Sequence, residues 1–180
     1  MPFKKYLSLI FPDEEYSSVF EIEYKELKKS GVEAIIFDFD NTLSTWKNKI
    51  LTDEVLELLK KLEGMGFKVG ILTNSKLRGL DEIKENSDYP IVYDASKPRS
   101  KGFKELLNRL KVEPEKSVMI GDQIFTDMLG ANRLSMKTIL VSPINPGEEF
   151  ILTKINRFWQ NIILKARNFF RLNFSLKDNN

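Results

Sequence analysis

Cysteine and histidine are both absent from this chain of 180 residues. The absence of cysteine excludes disulfide bonds, thiolate nucleophiles and cysteine-based zinc sites, and it fits a reducing compartment. The absence of histidine excludes an imidazole general base, a Ser-His triad and imidazole metal ligands. Any catalysis must therefore depend on carboxylates, lysines, hydroxyls and a hard metal ion bound by oxygen atoms.

Long hydrophobic runs are also absent, since no segment approaches the roughly 20 apolar residues that span a bilayer. The apolar run at the N-terminus is short and ends at Pro12 without a small-residue cleavage site, so it does not indicate a signal peptide. Charge is unevenly spread, because residues 150–177 contain six basic residues and no acidic one. We therefore expect a cytoplasmic protein whose C-terminal tail lies peripherally on an anionic surface.

Short apolar runs alternate with amphipathic helical patterns along the middle of the chain, which predicts an α/β fold. Strands are predicted at residues 34–37, 68–73, 89–93, 117–120 and 137–141. Helices are predicted at residues 16–30, 52–62, 77–86, 102–110 and 124–134, and again from residue 145. This order is typical of a three-layered, mostly parallel sheet of about five strands with helices on both faces.

Three regions follow from this pattern. Residues 1–30 are predicted to form an amphipathic, helical lead-in, residues 31–144 the α/β domain, and residues 145–180 a basic amphipathic helix and tail. The intervals between the strands of the α/β domain are short. Between Asp40 and Thr73 there is room for one helix, and between Thr73 and Lys97 for another helix and a short strand, so neither interval can hold a separate domain.

Polar side chains follow the ends of four predicted strands. They are Asp38, Asp40 and Thr42 after the first, Thr73 and Asn74 after the second, Lys97 after the third, and Asp122 and Asp127 after the fourth. The carboxyl ends of parallel strands share one edge of the sheet, where ligands bind. Asp38 and Asp40 could instead only cap a strand and start a turn. Converging carboxylates, a lysine and a hydroxyl favour a Mg²⁺ site for phosphoryl transfer, in which a carboxylate can serve as nucleophile.

Four segments resemble, in order, the motifs of the haloacid dehalogenase superfamily of phosphatases. They are residues 38–42 (DFDNT), 73–75 (TNS), 97–98 (KP) and 121–127 (GDQIFTD). Residues 130–134 (GANRL) and 153–158 (TKINRF) are similar to the subclass IIIA, YqeG-like group, which is related to phosphatidylglycerophosphate phosphatases. The resemblance covers nearly the whole chain. It implies a Rossmann-like fold and Mg²⁺-dependent hydrolysis of a phosphomonoester. Enzymes of this superfamily that act on small metabolites commonly have a cap domain, for which the short intervals of this chain leave no room.

The resemblance also implies roles for individual residues. It assigns catalysis to Asp38, Asp40, Thr73 and Lys97, substrate contacts to Thr42 and Asn74, and metal ligation to Asp38, Asp40, Asp122 and Asp127. Asp38 would be the nucleophile that forms an aspartyl-phosphate. Asp40 would be the general acid and base and would offer its backbone carbonyl to the metal. Asp127 would be either a direct ligand or a support for the site.

The C-terminal tail forms an amphipathic pattern at 100° per residue. Its apolar arc comprises Ile151, Ile155, Phe158, Trp159, Ile162, Ile163, Ala166, Phe169 and Phe170. Basic residues flank this arc, which favours an anionic membrane surface as the partner of residues 150–177. The alternative is that the arc packs against the body of the protein or a second copy of the chain. A homo-oligomer is therefore left open.

Three functions are compatible with the sequence. The resemblance favours a phosphatase for phosphatidylglycerophosphate, with the phospholipid headgroup as substrate. A phosphatase for a soluble, nucleotide or protein phosphate is the alternative. A non-catalytic, membrane-associated binding protein belongs to another class. Nucleic acid is not an expected partner, because the aromatic residues of the tail lie on its apolar arc and do not alternate with the basic residues.

Overall fold

The computed structural model describes residues 9–76, 89–148 and 151–175. The chain divides into two compact units, residues 1–148 and residues 149–180. The first unit contains the sheet and every predicted site residue, and the second contains a long helix. Within the described ranges, no helix combines the length and apolar character that crossing a bilayer requires.

Parallel strands form a six-stranded sheet in the first unit. The strands are β1 (Glu14–Tyr16), β2 (Ala34–Phe37), β3 (Lys68–Leu72), β4 (Ile91–Val92), β5 (Ser117–Gly121) and β6 (Lys137–Val141). They run across the sheet in the order β1-β6-β5-β2-β3-β4, and every neighbouring pair is parallel. All residues of β2 are buried, as expected of a strand covered on both faces. The predicted α/β fold with a parallel sheet is confirmed.

Helices connect the strands. The described helices are α1 (Tyr24–Lys29), α2 (Asp53–Gly64), α3 (Ser100–Leu110), α4 (Leu129–Asn132) and α5 (Ile151–Ser175). Helix α2 begins after Thr52, whose hydroxyl accepts a hydrogen bond from a backbone amide of the first turn at 3.4 Å. Its buried side chains include Leu58, Leu59 and Leu62, which form part of the predicted apolar stripe. The helix predicted at residues 77–86 lies outside the described residues.

The N-terminal segment corrects one prediction, because residues 16–30 do not form a single helix. Strand β1 ends at Tyr16, a 3-10 turn covers Val19–Glu21, and only α1 is α-helical. Strand β1 pairs with β6 and makes the sheet one strand wider than the five that the sequence predicted. The physical reason is that the edge of β6 offers backbone hydrogen-bond partners to an extended chain, which a helix cannot use.

Thr138 of β6 anchors the residue before β1. The amide of Asp13 donates to the carbonyl of Thr138 at 3.1 Å. In return, Oδ2 of Asp13 accepts hydrogen bonds from the amide and the hydroxyl of Thr138, at 2.8 and 3.0 Å. Beside them, the ammonium of Lys137 lies 2.7 Å from a carboxylate oxygen of Glu14. The N-terminal segment is therefore fixed to the sheet by polar contacts as well as by strand pairing.

A second correction concerns residues 124–134, which the sequence predicted as one α-helix. Ile124–Met128 form a π-helical turn, and α-helix resumes only in α4. The amides of Asp127 and the residue after it both reach the carbonyl of Gln123, at 3.0 and 3.3 Å. The carboxylate of Asp127 bends back to accept a hydrogen bond from the Gln123 amide at 3.1 Å. π-helical turns are frequent at functional sites, and this one follows the end of β5.

The C-terminal helix begins later than the sequence indicated. A helix start was predicted at residues 145–148, but Pro146–Glu148 form a 3-10 turn, and α5 begins at Ile151. The side chain of Asn145 still caps this region, because its Oδ1 accepts a hydrogen bond from the amide of Gly147 at 3.2 Å. The long C-terminal helix itself is present.

Thr138→Val tests the anchor of the N-terminal segment. Valine keeps the shape of the side chain but removes the hydroxyl that donates to Asp13. We expect the free energy of unfolding to fall by about 1 to 2 kcal/mol, because the buried hydroxyl of Thr138 and its hydrogen bond to the carboxylate of Asp13 are lost. Urea denaturation measures this change, and Thr138→Ser, which keeps the hydroxyl, is the matched control. A valine variant as stable as the wild type would show that the hydroxyl does not stabilise this contact.

Candidate active site

A tight turn after β2 positions Asp38 and Asp40. The amide of Asp38 donates to a carbonyl of β5 at 2.8 Å, so this residue lies where the pairing of the two strands ends. Asn41 adopts the left-handed conformation (φ 62°), which asparagine tolerates better than most residues. Its amide donates to the carbonyl of Ser44 at 2.7 Å. The reversal brings the hydroxyl of Thr42 to 3.3 Å from Oδ2 of Asp38.

Lys97 lies between two buried carboxylates. Its Nζ donates a hydrogen bond to Oδ1 of Asp38 and lies 2.6 Å from Oδ1 of Asp127. It also donates to the carbonyl of Leu72, at the end of β3, at 3.0 Å. The side chains of the lysine and the two aspartates are at most 5% exposed. Because water screens these charges little, their attraction is stronger than that of a surface ion pair.

Burial and charge together shift the pKa values of this group. Burial is the main cause that raises the pKa of Asp38 well above its usual value. The Lys97 ammonium opposes this shift, and the carboxylates of Asp127, Asp122 and Asp40 add to it. Burial alone would lower the pKa of Lys97, but Asp127 and Asp38 outweigh it and raise that pKa, so the lysine stays protonated. One ammonium therefore faces several carboxylates, and a further cation would stabilise their ionised form.

The carboxylate of Asp40 is held through one of its two oxygens. The hydroxyls of Thr73 and Ser75 donate to Oδ2 of Asp40, at 3.0 and 2.7 Å. Thr73 follows β3 directly, and its hydroxyl oxygen also accepts the amide of Ser75 at 2.9 Å. Oδ1 of Asp40 is buried and has no hydrogen-bond partner among the residues that the structure describes. Because buried polar atoms are normally paired, this oxygen is available to a group that enters the site.

Asn74 positions the loop that carries Lys97. Its Oδ1 accepts a hydrogen bond from the backbone amide of Lys97 at 2.7 Å, and its Nδ2 donates to the backbone carbonyl of Lys97 at 3.2 Å. Both polar atoms of the amide side chain are used in this way. The predicted contact of Asn74 with substrate stays a prediction, and the structure shows instead a positioning contact.

Three buried carboxylates form an acidic cluster that suits a metal ion. They belong to Asp38, Asp122 and Asp127, and one oxygen of each lies within 4.8 Å of the others. Oxygen donors with a net negative charge fit Mg²⁺, which is usually held by one or two protein carboxylates together with water and phosphate. The carboxylate of Asp40 lies outside this cluster, as far as the described residues show. Its predicted backbone contribution to the metal stays a prediction.

The predicted site residues thus fall into two neighbouring groups. The first contains Asp38, Thr42, Lys97, Asp122 and Asp127, and the second contains Asp40 and Thr73, with Asn74 beside Lys97. All of them lie after the carboxyl ends of β2 to β5. The first group carries the buried charges, and the second presents the unpaired oxygen of Asp40.

Ser75 and Lys49 also reach the site, although no role was predicted for either residue from the sequence. Lys49 lies in the loop between β2 and α2, and its Nζ donates to the hydroxyl of Ser75 at 3.1 Å. The position of Ser75, two residues after Thr73 and just beyond a strand end, was a usable signal. Sequence offered no signal that distinguishes Lys49 from Lys47, because the path of the loop decides which lysine turns inward.

Comparison with known proteins identifies the family. The model of the haloacid dehalogenase-like hydrolases matches residues 44–134, about half of the chain. The chain belongs to the haloacid dehalogenase-like hydrolase family. The resemblance drawn from the four sequence motifs is therefore confirmed.

The relatives of this hydrolase include two proteins that are named as phosphatases. "Probable phosphatase YqeG" of Bacillus subtilis is 37% identical over 155 residues, which are 86% of this chain and 90% of that protein. "Phosphatidylglycerophosphate phosphatase 1, chloroplastic" of Chlamydomonas reinhardtii is 28% identical over 84% of this chain. The hydrolase spans only 61% of the length of that algal relative. Together with the family match, these relatives show that the hydrolase is a phosphatase.

A solved structure shares the fold. The crystal structure of an uncharacterized protein from Listeria monocytogenes serotype 4b superimposes with a TM-score of 0.53 and 23% sequence identity. The similarity covers 66% of the hydrolase and 85% of the Listeria chain. At this identity it shows the fold alone, and it agrees with the parallel α/β sheet described above.

Gly121→Ala tests how tightly the acidic cluster is built. A Cβ atom at Gly121 would lie 2.6 Å from Cγ of Asp127, closer than unbonded atoms approach. We expect the carboxylate to be displaced, the free energy of unfolding to fall by about 1 to 3 kcal/mol, and Mg²⁺ to bind more weakly. Urea denaturation and calorimetric titration measure the two effects.

Gly64→Ala, in α2, is the control for this experiment. A Cβ atom there meets no atom of the described residues within 4 Å, so stability and Mg²⁺ affinity should stay near those of the wild type. If Gly121→Ala behaved like this control, the carboxylate of Asp127 would not be confined as described.

Proposed function

We propose that this phosphatase is a Mg²⁺-dependent phosphomonoesterase that transfers the phosphoryl group first to Asp38 and then to water. The observation that supports this most directly is the buried ion pair of Asp38 with Lys97, inside the acidic cluster. A carboxylate beside a fixed ammonium is available as a nucleophile. Phosphorylation of the carboxylate divides one difficult displacement into two easier ones.

In the first step, a carboxylate oxygen of Asp38 attacks phosphorus, and the bond between phosphorus and the alkoxy oxygen of the substrate breaks. Lys97 holds Oδ1 of Asp38, while Oδ2 accepts the longer hydrogen bond from Thr42, so Oδ2 is the freer oxygen to attack. The charge of Lys97 also offsets the negative charge of the phosphoryl oxygens. Phosphoryl transfer depends mainly on such positioning and neutralisation.

Asp40 serves as the general acid and then as the general base. Two hydroxyls donate to its Oδ2, so the transferable proton is carried by the unpaired Oδ1. Oδ1 gives this proton to the alkoxy oxygen that leaves in the first step. In the second step it takes a proton from the water that attacks the aspartyl-phosphate, which releases phosphate and restores the carboxylate of Asp38.

Thr73 orients Asp40 in the described geometry, because its hydroxyl proton points to Oδ2. The hydrogen bond to the phosphoryl group that the sequence predicted for Thr73 would require this hydroxyl to turn. Asp38 and Asp122 would hold Mg²⁺, with the backbone carbonyl of Asp40, and Asp127 would support them as a further ligand or through Lys97. When bound, Mg²⁺ offsets negative charge on the transferring phosphoryl group.

We further propose phosphatidylglycerophosphate as the substrate. Residues 41–67 contain only a loop and α2, which leaves no cap domain between β2 and β3 to enclose a small metabolite. A site without such a cap suits a bulky substrate that is held at a surface. The name of the Chlamydomonas relative supports the same substrate class. A soluble phosphomonoester is the competing substrate.

Helix α5 supports action at a membrane. Its exposed apolar side chains are Ile155, Phe158, Trp159 and Ile162, with between 42% and 61% of their surface accessible. Exposed Lys154 and Lys165 belong to the same helix. A helix with aromatic and aliphatic groups on one side and cations nearby binds at an anionic lipid interface. We therefore propose that α5 holds the enzyme on the cytoplasmic face of a membrane.

Asp38→Asn tests the nucleophile. Asparagine keeps the size of the side chain but cannot form the aspartyl-phosphate, so we expect phosphate release to fall at least about 1,000-fold. Phosphate release from p-nitrophenyl phosphate with Mg²⁺ measures this, and a chelator should abolish the wild-type rate. Asp53→Asn, in the exposed first turn of α2, is the matched control. Full activity in Asp38→Asn would contradict the mechanism.

Two assays of the wild type decide the substrate. Phosphatidylglycerophosphate in mixed micelles is compared with a panel of soluble phosphomonoesters, and kcat/KM is measured for each. We expect the lipid to exceed every soluble ester by about tenfold or more. Preference for a soluble ester would replace the lipid as the substrate while leaving the phosphatase mechanism intact.

Phe158→Ser tests the membrane surface. We expect binding of the full chain to vesicles containing phosphatidylglycerol to weaken by about tenfold, because an exposed aromatic group that enters the interface is lost. Co-sedimentation measures the binding constant. Phe20→Ser is the matched control, because Phe20 is an exposed phenylalanine of the first unit. Equal effects of the two substitutions, or concentration-dependent dimers without vesicle binding, would contradict the membrane proposal.

A further inference from the structure

Lys49 is a cation beside the proposed general acid, and the mechanism above does not use it. Its Nζ donates to the hydroxyl of Ser75 at 3.1 Å, and this hydroxyl donates to Oδ2 of Asp40 at 2.7 Å. Two hydrogen bonds therefore separate the ammonium from the carboxylate that exchanges the proton. Lys97, by contrast, binds the nucleophile Asp38. The two lysines are thus linked to different aspartates, Lys49 to Asp40 through Ser75 and Lys97 directly to Asp38.

The position of Lys49 next to Asp40 indicates which part of the substrate this lysine can contact. A general acid must lie next to the oxygen that leaves, since it gives its proton to that atom. The part of the substrate near Asp40 is therefore the alcohol and not the transferring phosphoryl group. A cation held next to Asp40 is therefore a candidate to bind a second negative charge on the alcohol part of the substrate.

The loop holds Lys49 in this position. Its backbone has φ of 48°, in the left-handed region that a lysine adopts only at a cost. The ammonium lies 5.3 Å from the centroid of the Trp46 ring, within the range of a cation–π contact. The residue is half-buried, whereas Lys47 in the same loop is exposed. A strained backbone and an aromatic support limit the directions that the side chain can take.

We propose that Lys49, supported by Trp46, binds a second anionic group on the alcohol part of the substrate. The enzyme then prefers phosphomonoesters whose alcohol carries another phosphate a few bonds from the scissile one. This inference rests on the proposed function of Asp40. A phospholipid headgroup with a phosphodiester and a soluble bisphosphate both supply this chemistry.

Two esters of equal chain length test the proposal: propyl phosphate and 1,3-propanediol bisphosphate. Phosphate release with Mg²⁺ gives kcat/KM for each, and their ratio is the preference for a second phosphate. We expect the wild type to prefer the bisphosphate by about tenfold or more, the usual effect of a charged hydrogen bond. Lys49→Met should remove this preference, because it lowers kcat/KM for the bisphosphate by about tenfold more than kcat/KM for propyl phosphate.

Lys47→Met and Lys49→Arg are the controls. The first removes a neighbouring exposed lysine and the second keeps the positive charge, so both should retain the preference. A merely structural role of Lys49 would lower the rates for both esters equally. That result, an unchanged preference in Lys49→Met, or no preference in the wild type would overturn the proposal.

A measurement of ester binding tests this inference independently of the proposed phosphatase activity. In an Asp38→Asn background, calorimetry measures the affinity of both esters with and without Lys49→Met. If the wild type hydrolysed neither these esters nor p-nitrophenyl phosphate nor the lipid, the phosphomonoesterase proposal would fail, yet a lysine-dependent affinity for the bisphosphate would still support the anion site. Equal affinities would overturn it.

A third substrate distinguishes the two sources of the second anion. A short-chain lipid whose headgroup has a phosphodiester and a terminal phosphomonoester is assayed beside the soluble bisphosphate. A larger loss for the lipid in Lys49→Met supports the proposal with a headgroup as ligand. A larger loss for the bisphosphate supports it with a soluble ligand, and no loss for either overturns it.

Discussion

The buried ammonium of Lys97 is the constraint on which the site depends. It neutralises Asp38 and Asp127, which approach it from the turn after β2 and from the π-helical turn after β5. Removing one partner of a buried ion pair leaves an uncompensated charge, which is costly in free energy. The segments after β2, β4 and β5 must therefore keep fixed positions relative to one another. Asn74, after β3, contributes by hydrogen-bonding to the backbone of Lys97.

The two aspartates that flank Phe39 are prepared for different chemistry by different interactions. Asp38 is surrounded by charge, so the balance between burial, Lys97 and the other carboxylates sets its protonation. Asp40 is surrounded by hydroxyls, and the hydrogen bonds of Thr73 and Ser75 leave a defined oxygen unpaired. A nucleophile needs available negative charge, and a proton carrier needs a defined site for its proton. The fold supplies both conditions within one short turn.

Much of the fold could be predicted, because parallel strands and amphipathic helices leave local patterns. The apolar run of β2 and the stripe of α2 are examples, and the edge where the polar residues gather follows from the parallel order of the strands. The N-terminal segment was wrongly predicted to be one helix. Its contact with β6 joins Asp13 and Thr138, which are 125 residues apart, so no local sequence pattern indicates it. The π-helical turn at Ile124–Met128 was missed for a related reason. Its sequence has a helical pattern, and the position of Asp127 beside Lys97 is a tertiary feature.

The sequence by itself determined which chemical groups the protein can use. With no histidine or cysteine, only carboxylates, hydroxyls and lysines remained, and their spacing identified the family. Only the tertiary structure decided how these groups face one another: which oxygen of Asp40 is unpaired, that Asn74 holds a loop, and that Lys49 turns inward while Lys47 does not. The physical reason is that composition and periodicity depend on neighbours along the chain. Hydrogen bonds and buried charges depend on residues that only folding brings together.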